Sequence, residues 1–158
     1  VQTCALPIWH KKKINGKTLG ELVLTPSKIY SKIISELRGE IFEKPKVEIH
    51  GIAHITGGGI PEKLGRMLKP TGFGAVIENL FPPCEAMSYA QQLGKINDEE
   101  AYRTWNMGNG MLIATPEPEK LLKLLSVKNV KSRVCGEIIR GKKILLLSRK
   151  ENNNTDEL

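Results

Sequence analysis

The sequence is short of aromatic residues and of long apolar runs, and each shortage excludes a class of protein. Only 5% of its 158 residues are aromatic, which leaves little for nucleic-acid bases to stack on. No apolar run approaches the roughly 18–20 residues of a membrane-spanning helix, and the N-terminal residues lack the successive charged, apolar and small-residue blocks of a signal peptide. We therefore expect a cytoplasmic protein with neither a membrane nor a nucleic acid as its partner.

Cysteine and aspartate are also scarce, which argues against a metal site built by this chain alone. Cys4, Cys84 and Cys135 lie far apart and form no CxxC pair, so they predict neither a disulfide framework nor a zinc site, and reduced thiols are expected. The only aspartates are Asp98 and Asp156. Because Mg²⁺ needs hard oxygen ligands such as carboxylates, most ligands of a nucleotide-bound Mg²⁺ would have to come from elsewhere.

The positive charge of the chain keeps one alternative open. The formal net charge is +7, and residues 11–13 form a short lysine run, as expected of a noncatalytic module that binds nucleic acid. The other basic residues are scattered along the chain, so solvated surface charge is the preferred interpretation. The same field would attract phosphate-bearing small molecules.

The chain is predicted to contain one folded domain with two irregular ends. Residues 1–14 have no clear period and are interpreted as a scar or linker, residues 15–150 as the domain, and residues 151–158 as a disordered polar tail. Helical and strand periods alternate within the domain. The expected fold class is α+β, an α/β sandwich with a mixed β-sheet and helices packed on it.

Local signals give the boundaries of the elements. Helix starts are predicted at capping or proline signals, namely Thr25-Pro26, Pro61, Asn97 with Glu100, and Thr115-Pro116, and a further helix is expected over residues 85–93. Strands are predicted by their apolar runs, at residues 47–55, 74–77, 130–139 and 143–148, and residues 106–114 are expected to begin as a glycine-containing loop and end as an apolar strand. The last two are joined through residues 140–142 and predict a hairpin.

The densest polar chemistry lies in residues 50–59, HGIAHITGGG. Gly57, Gly58 and Gly59 leave their backbone N–H groups unshielded, and the helix that follows adds a partial positive charge, so an anion is favoured there. Thr56 would donate one more hydrogen bond. A flexible turn is the plain alternative, since the segment is neither GxGxxG nor a Walker loop. The order of strand, glycine turn and helix favours a phosphate site.

His50 and His54 are four residues apart, which places them on one face of the predicted strand. Together they would bind a metal or move a proton, although a zinc pair needs further ligands. A histidine flanked by apolar residues is more often part of a core. We select His54, beside the glycines, as the catalytic candidate.

A second constellation consists of Asn106, Gly108 and Gly110. An amide side chain and bare backbone can hydrogen-bond a ligand, and an ordinary turn is the alternative. Asn106 and Gly108 are therefore the candidates for substrate contact in this loop.

Three segments of the chain resemble one enzyme family. Residues 50–70, HGIAHITGGGIPEKLGRMLKP, and residues 101–111, AYRTWNMGNGM, resemble two signatures of phosphoribosylformylglycinamidine cyclo-ligase, also called AIR synthetase. Residues 19–32, LGELVLTPSKIYSK, resemble the segment that opens the C-terminal domain of that family. The three occur in the family's order and cover about residues 15–150.

The resemblance implies an ATP-dependent ligase of de novo purine synthesis. Its substrate would be a phosphorylated ribonucleotide, formylglycinamidine ribonucleotide, and its product aminoimidazole ribonucleotide (AIR). ATP and Mg²⁺ would serve the full enzyme, a homodimer whose N-terminal domain carries the aspartates that bind the metal. A chain without that domain is expected to be inactive.

Two residues depart from the family pattern. Trp105 stands where Phe is usual, and Asn109 stands where a small apolar residue is usual, so the second change is expected to alter contacts of the loop. One further alternative keeps the fold and changes the substrate, as in the selenophosphate, thiamine-phosphate and formylglycinamidine amidotransferase branches of the superfamily. Their glycine motifs differ from HITGGG.

Overall fold

The computed structural model describes residues 11–39, 43–149 and 155–157. Six α-helices and eight β-strands occur in this part of the chain. In chain order they are β1 (Lys13–Ile14), β2 (Lys17–Thr18), α1 (Leu19–Val23), α2 (Ser31–Arg38), β3 (Gly51–His54), α3 (Gly59–Leu68), β4 (Phe73–Ile77), α4 (Glu85–Gly94), α5 (Asp98–Thr104), β5 (Met111–Ala114), α6 (Pro118–Val127), β6 (Gly136–Arg140), β7 (Ile144–Arg149) and β8 (Thr155–Glu157). A 3₁₀ turn, Lys69–Thr71, joins α3 to β4.

The strands form small sheets on which the helices pack. β3 pairs with β5 in antiparallel register, and a four-stranded sheet has the order β6-β4-β7-β8. In that sheet β4 runs antiparallel to β6 and parallel to β7. This mixture of strand directions with covering helices confirms the predicted α+β class.

The predicted closing hairpin is wrong, because β4 lies between the two strands that were expected to pair. β6 begins at Gly136, six residues later than predicted. A Cβ atom at Gly136 would lie 2.0 Å from the Val76 carbonyl oxygen, and one at Gly74 would lie 2.1 Å from the Lys143 carbonyl oxygen. Both glycines therefore let β4 approach the neighbouring backbone closely. This requirement comes from tertiary structure, and the turn at Gly141 does not reveal it.

Two hydrophobic clusters hold the elements together. In the larger one, α3 places Ile60, Leu64 and Leu68 at a spacing of four residues against β3, β4, β5 and β7. The smaller cluster joins α2 to α6 through Leu37, Val47, Leu121 and Leu125. An ion pair links Glu36 of α2 to Lys128, the C-cap residue of α6.

Two of the predicted helix starts are displaced. α2 begins at Ser31 and not at Thr25-Pro26. The Thr25 hydroxyl does not cap α2 and instead donates to the Glu21 carbonyl of α1 (3.3 Å). α6 begins at Pro118, and Glu117 is its N-cap. The Thr115 hydroxyl instead donates to the Glu48 carbonyl (2.6 Å) and accepts from the Glu117 N–H (3.0 Å).

The other boundaries lie closer to the predictions. α3 begins at Gly59, two residues before Pro61, and α5 is capped by Asn97, whose side chain accepts from the Glu100 N–H at 2.8 Å. Of the strand predicted over residues 47–55, only Gly51–His54 is paired. The predicted helix over residues 85–93 is α4, which includes Gly94.

Both segments predicted to be irregular contain strand residues in the structure. Lys13–Ile14 pair with Lys17–Thr18 inside the segment interpreted as a scar or linker, and Thr155–Glu157 pair with β7 inside the segment predicted to be disordered. Residues 1–10 and residues 150–154 and 158 lie outside the described part of the chain. Among the described residues, we find no helix that could span a membrane.

Candidate functional site

The antiparallel pairing of β3 with β5 brings the two predicted glycine segments together. His54 at the end of β3 is opposite Met111 at the start of β5, and the Ile55 N–H donates to the Gly110 carbonyl at 2.9 Å. The turn that follows β3 and the loop that precedes β5 therefore lie side by side at one end of this sheet. Two motifs almost fifty residues apart in sequence form one surface.

His54 is exposed at this end of the sheet. Its ring meets the edge of the Tyr30 ring, with centroids 5.8 Å apart and planes inclined by 72°. His50 is also exposed, and its Nε2 atom lies 2.7 Å from Glu48 Oε1. Thus His50 is engaged by a carboxylate, whereas His54 has an aromatic neighbour and an open face.

The histidine pair does not extend to a metal site in the described residues. They contain no group of three or more His, Cys, Asp or Glu side chains that would hold a metal ion. The donor set that this part of the chain offers therefore does not fit Mg²⁺ or Zn²⁺, and no step of the chemistry is assigned to a metal held here.

The three glycines differ in what their positions require. Gly58 has φ +91° and Gly59 has φ +59°, which favour glycine. Gly59 is buried, and a Cβ atom there would lie 1.8 Å from the Tyr102 carbonyl oxygen. Its N–H donates to the Thr56 carbonyl at 3.1 Å. Gly59 is therefore a packing residue between α3 and α5, and its amide is not open to a ligand.

Gly57 and Thr56 carry the accessible donors of the turn. Both residues are exposed, and a Cβ atom at Gly57 would meet nothing within 4 Å. Among the described residues, no hydrogen-bond acceptor is found for the Gly57 N–H or the Thr56 hydroxyl. The predicted anion site thus has its open donors at the first part of the turn.

Glu62 is a neighbour of this turn that the sequence did not reveal. A Cβ atom at Gly58 would lie 1.8 Å from Glu62 Oε2. The Lys63 ammonium and the Arg66 guanidinium both donate to Glu62 Oε1, at 3.2 and 2.5 Å. Hydrogen bonding and charge from Lys63, followed by Arg66, lower the pKa of the Glu62 carboxyl. Its negative charge beside the turn is therefore balanced by two cations.

The second segment is a tight turn that uses its own side chains. Asn106 Oδ1 accepts from the Gly108 N–H at 3.1 Å, and the Asn106 carbonyl accepts from the Asn109 N–H at 2.9 Å. Met107 is buried with φ +43°. A Cβ atom at Gly108 would lie 2.2 Å from the Pro82 carbonyl oxygen. Asn106 and Gly108 therefore shape the loop, and no hydrogen bond of the Asn106 Nδ2 group is found among the described residues.

Asn109 is buried, with 5% of its surface exposed. Its side chain accepts from the Phe81 N–H (2.9 Å) and donates to the carbonyls of Phe81 (3.0 Å) and Met107 (2.8 Å). Asn109 therefore links the loop before β5 to Phe81. In the sequence, the feature that distinguished this position was a polar residue between two glycines.

Cys135 is half-buried against the larger cluster. Burial raises the pKa of its thiol, so the neutral form is favoured and a nucleophilic role is not supported. At this position Cys135 packs as a small hydrophobic residue.

The chain belongs to the family described as AIR synthase related protein, C-terminal domain, whose model matches residues 5–147. Several curated relatives carry the name phosphoribosylformylglycinamidine cyclo-ligase. One from Caldanaerobacter subterraneus subsp. tengcongensis is 40% identical over 128 residues, which are 80% of this chain and 36% of the relative. One from Bacillus mycoides is 38% identical over 136 residues, 84% of this chain and 37% of the relative. One from Gloeothece citriformis is 35% identical over 130 residues, which are 81% of this chain and 36% of the relative.

These matches confirm the predicted resemblance, and they do not favour a nucleic-acid-binding module. The chain spans a little over a third of the length of the relatives it matches, 36–37% in these three cases. The match also begins at residue 5, inside the segment that was interpreted as a scar or linker.

Proposed function

We propose that this chain supplies the C-terminal part of an ATP-dependent cyclo-ligase that converts formylglycinamidine ribonucleotide to AIR in de novo purine synthesis. The observation that carries the proposal is the meeting of two family signatures at one end of the β3–β5 sheet, in a chain similar to named cyclo-ligases along most of its length. In this proposal the remaining part of the enzyme, an N-terminal domain, completes the site.

The proposed reaction has two steps. ATP phosphorylates the amide oxygen of the substrate, and ADP leaves. An amidine nitrogen then attacks the carbon that bears the phosphorylated oxygen, which closes the imidazole ring and expels phosphate. Such chemistry needs donors aimed at the developing negative charge and exclusion of water from the phosphorylated intermediate. The Gly57 N–H and the Thr56 hydroxyl are exposed donors that suit the first requirement.

We assign the remaining candidates by the groups they leave open. Gly58 contributes its positive φ, which lets the backbone of the turn approach the substrate closely, and Gly59 supports the turn by packing. The Asn106–Gly108 turn contacts the substrate through Asn106 Nδ2 and exposed backbone. His54 orients the substrate or transfers a proton, since an imidazole is able to do both near neutral pH. Its open face beside Gly110 supports this role.

The proposed partners follow from the same reasoning. ATP and Mg²⁺ would bind mainly to the N-terminal domain, because the described residues lack a carboxylate cluster for the metal. A homodimer and a cytoplasmic location are part of the proposal, and the free thiols of Cys84 and Cys135 suit a reducing compartment.

Complementation between separate parts tests this proposal. The N-terminal part of the Caldanaerobacter relative, without the region that matches this chain, would be mixed with the 158-residue chain, ATP, Mg²⁺ and formylglycinamidine ribonucleotide. Neither part alone should form AIR, and the mixture should form it. AIR formation by the 158-residue chain alone would overturn the shared-site proposal, as would an inactive mixture in which the two folded parts bind each other.

A further inference from the structure

A large cleft is lined in part by the Gly108–Gly110 loop. Its volume is about 810 Å³, within the usual range for small-molecule sites. Most of its wall is apolar, and α2, β5 and α6 contribute Ile33, Ile34, Met111, Leu121 and Leu125 to it. His54 and the Thr56–Gly59 turn do not line it. The cleft is therefore a separate feature from the glycine turn, although the two share the loop before β5.

The side chains that line the cleft carry more positive than negative charge. Lys28, Lys131 and Arg133 line it, with Glu137 as the single carboxylate among its lining residues. Lys131 and Arg133 both lie over the ring of Phe81, at 5.0 and 4.0 Å from its centroid. Neither takes part in the ion pairs found in the described part of the chain. Two like charges beside one ring, without a carboxylate partner there, favour an anion.

Arg133 is held in place before any ligand arrives. Its Nη1 atom donates to Asn79 Oδ1 at 3.1 Å and to the Leu80 carbonyl at 3.3 Å. The described residues supply no acceptor for its Nη2 and Nε atoms. Those two donors form the side of the guanidinium that suits two phosphate oxygens, and that side remains open to a ligand. Phe81 beneath it is fixed in turn by its backbone hydrogen bonds with Asn109. The cation is thus preorganised, which lowers the cost of binding.

We propose that this cleft binds a phosphate monoester with an apolar body, the phosphate lying at Lys131 and Arg133 and the body against the apolar wall. The charge pair selects the anionic head, and burial of apolar surface stabilises the rest. The inference rests on the cleft and is independent of the proposed cyclo-ligase activity. Binding here therefore persists even if the chain completes no ligase site.

Calorimetric titration of the 158-residue chain with three probes tests the two halves of the site. Phenyl phosphate carries both the head and the body, inorganic phosphate only the head, and phenol only the body. We expect phenyl phosphate to bind at least about tenfold more tightly than either fragment, since each fragment lacks one set of contacts. Inorganic phosphate binding as tightly as phenyl phosphate, or no binding of phenyl phosphate, would overturn the proposal.

Charge-neutralising variants locate the head. Lys131→Gln and Arg133→Gln should each weaken phenyl phosphate binding by about tenfold or more, whereas Lys123→Gln, on an exposed position of α6 outside the cleft, should leave it unchanged. Arg133 also donates a hydrogen bond to Asn79, so thermal unfolding of each variant checks that the fold is retained. Lys131 is exposed, and its replacement removes only the positive charge. Equal weakening by Lys123→Gln would show a nonspecific charge effect and contradict the site.

Amide chemical shifts separate this site from the glycine turn. Phenyl phosphate should shift the Phe81, Gly108 and Gly110 amide signals. Shifts confined to Gly57 and Gly58 would place the ligand at the turn and overturn the assignment to the cleft.

Discussion

The side chain of Asn109 holds Phe81 by both of its backbone groups. Asn109 Oδ1 accepts from the Phe81 N–H at 2.9 Å, and Asn109 Nδ2 donates to the Phe81 carbonyl at 3.0 Å. The same Nδ2 atom donates to the Met107 carbonyl at 2.8 Å. One buried amide therefore fastens the loop before β5 to the segment after β4, and it fixes where Asn106 and Gly108 lie.

Asn109→Ala should destabilise the protein by about 2–3 kcal/mol, because it leaves buried backbone groups of Phe81 and Met107 without partners. Urea unfolding monitored by circular dichroism measures the loss. Gln92→Ala removes an exposed amide from α4 and should change stability by less than about 0.5 kcal/mol. Equal stability of the two variants would show that the Asn109 hydrogen bonds contribute nothing.

The two ends of the glycine triplet should respond differently to alanine. Gly59→Ala places a Cβ atom against the Tyr102 carbonyl at a residue with φ +59°, so we expect a loss of at least about 2 kcal/mol from strain and displaced packing. Gly57→Ala adds a methyl group in open space and should cost less than about 1 kcal/mol. Denaturant midpoints of the two variants decide this, and a stable Gly59→Ala protein would contradict the described contact of α3 with α5.

Cys135 should make folding less favourable in alkaline solution. Burial raises the pKa of its thiol above the usual value for cysteine, so its contribution to stability is complete below that usual pKa and is lost as the pH rises through the higher folded pKa. Cys135→Val should reduce the loss of stability above pH 9 in unfolding curves recorded at several pH values. An unchanged slope in the variant would assign the alkaline effect to other groups, such as Tyr102, whose pKa is also raised by burial.

The exposures of the two described cysteines predict an order of alkylation. Cys84 is exposed and Cys135 is half-buried, so iodoacetamide near pH 8 should modify Cys84 first in the folded chain. Peptide mass spectrometry measures both rates, and the difference should disappear in concentrated urea. Faster modification of Cys135 in the folded protein would contradict its placement.

His54→Asn separates proton transfer from orientation. The test uses a chimera that joins the N-terminal part of the Caldanaerobacter relative to this chain. An amide retains hydrogen bonding and loses the proton shuttle, so kcat should fall by about 100-fold or more while KM changes little. His50→Asn is the matched control, because His50 is an exposed histidine just before β3 whose ring is engaged by Glu48. An unchanged kcat in His54→Asn would remove His54 from the chemistry.

Much of the local structure was predictable because its causes are local. The Asn97 cap of α5 and the α3 face at Ile60, Leu64 and Leu68 follow from spacing and side-chain chemistry. The insertion of β4 between β6 and β7 was not predictable, because a turn at Gly141 is compatible with adjacent strands and with strands one position apart. Strand order depends on distant pairing that no local pattern records.

The candidate site was predictable in its segments and less so in its atoms. The glycine turn and the Asn106 loop were recognised by residue type, and the β3–β5 register explains why they meet. The engagement of the Gly59 amide by Thr56 and the approach of Glu62 to Gly58 arise from how α3 starts and packs. Those contacts depend on tertiary structure, so residue types alone do not reveal them.

The most direct test of the account is the activity of the chimera itself. This chain would replace the matching C-terminal region of the Caldanaerobacter relative, and AIR and phosphate would be measured with ATP and formylglycinamidine ribonucleotide. Thermal unfolding and ATP binding serve as controls for the fold and for the N-terminal part. The account predicts AIR formation with one phosphate released per AIR. A folded chimera that binds ATP and forms no AIR would contradict it.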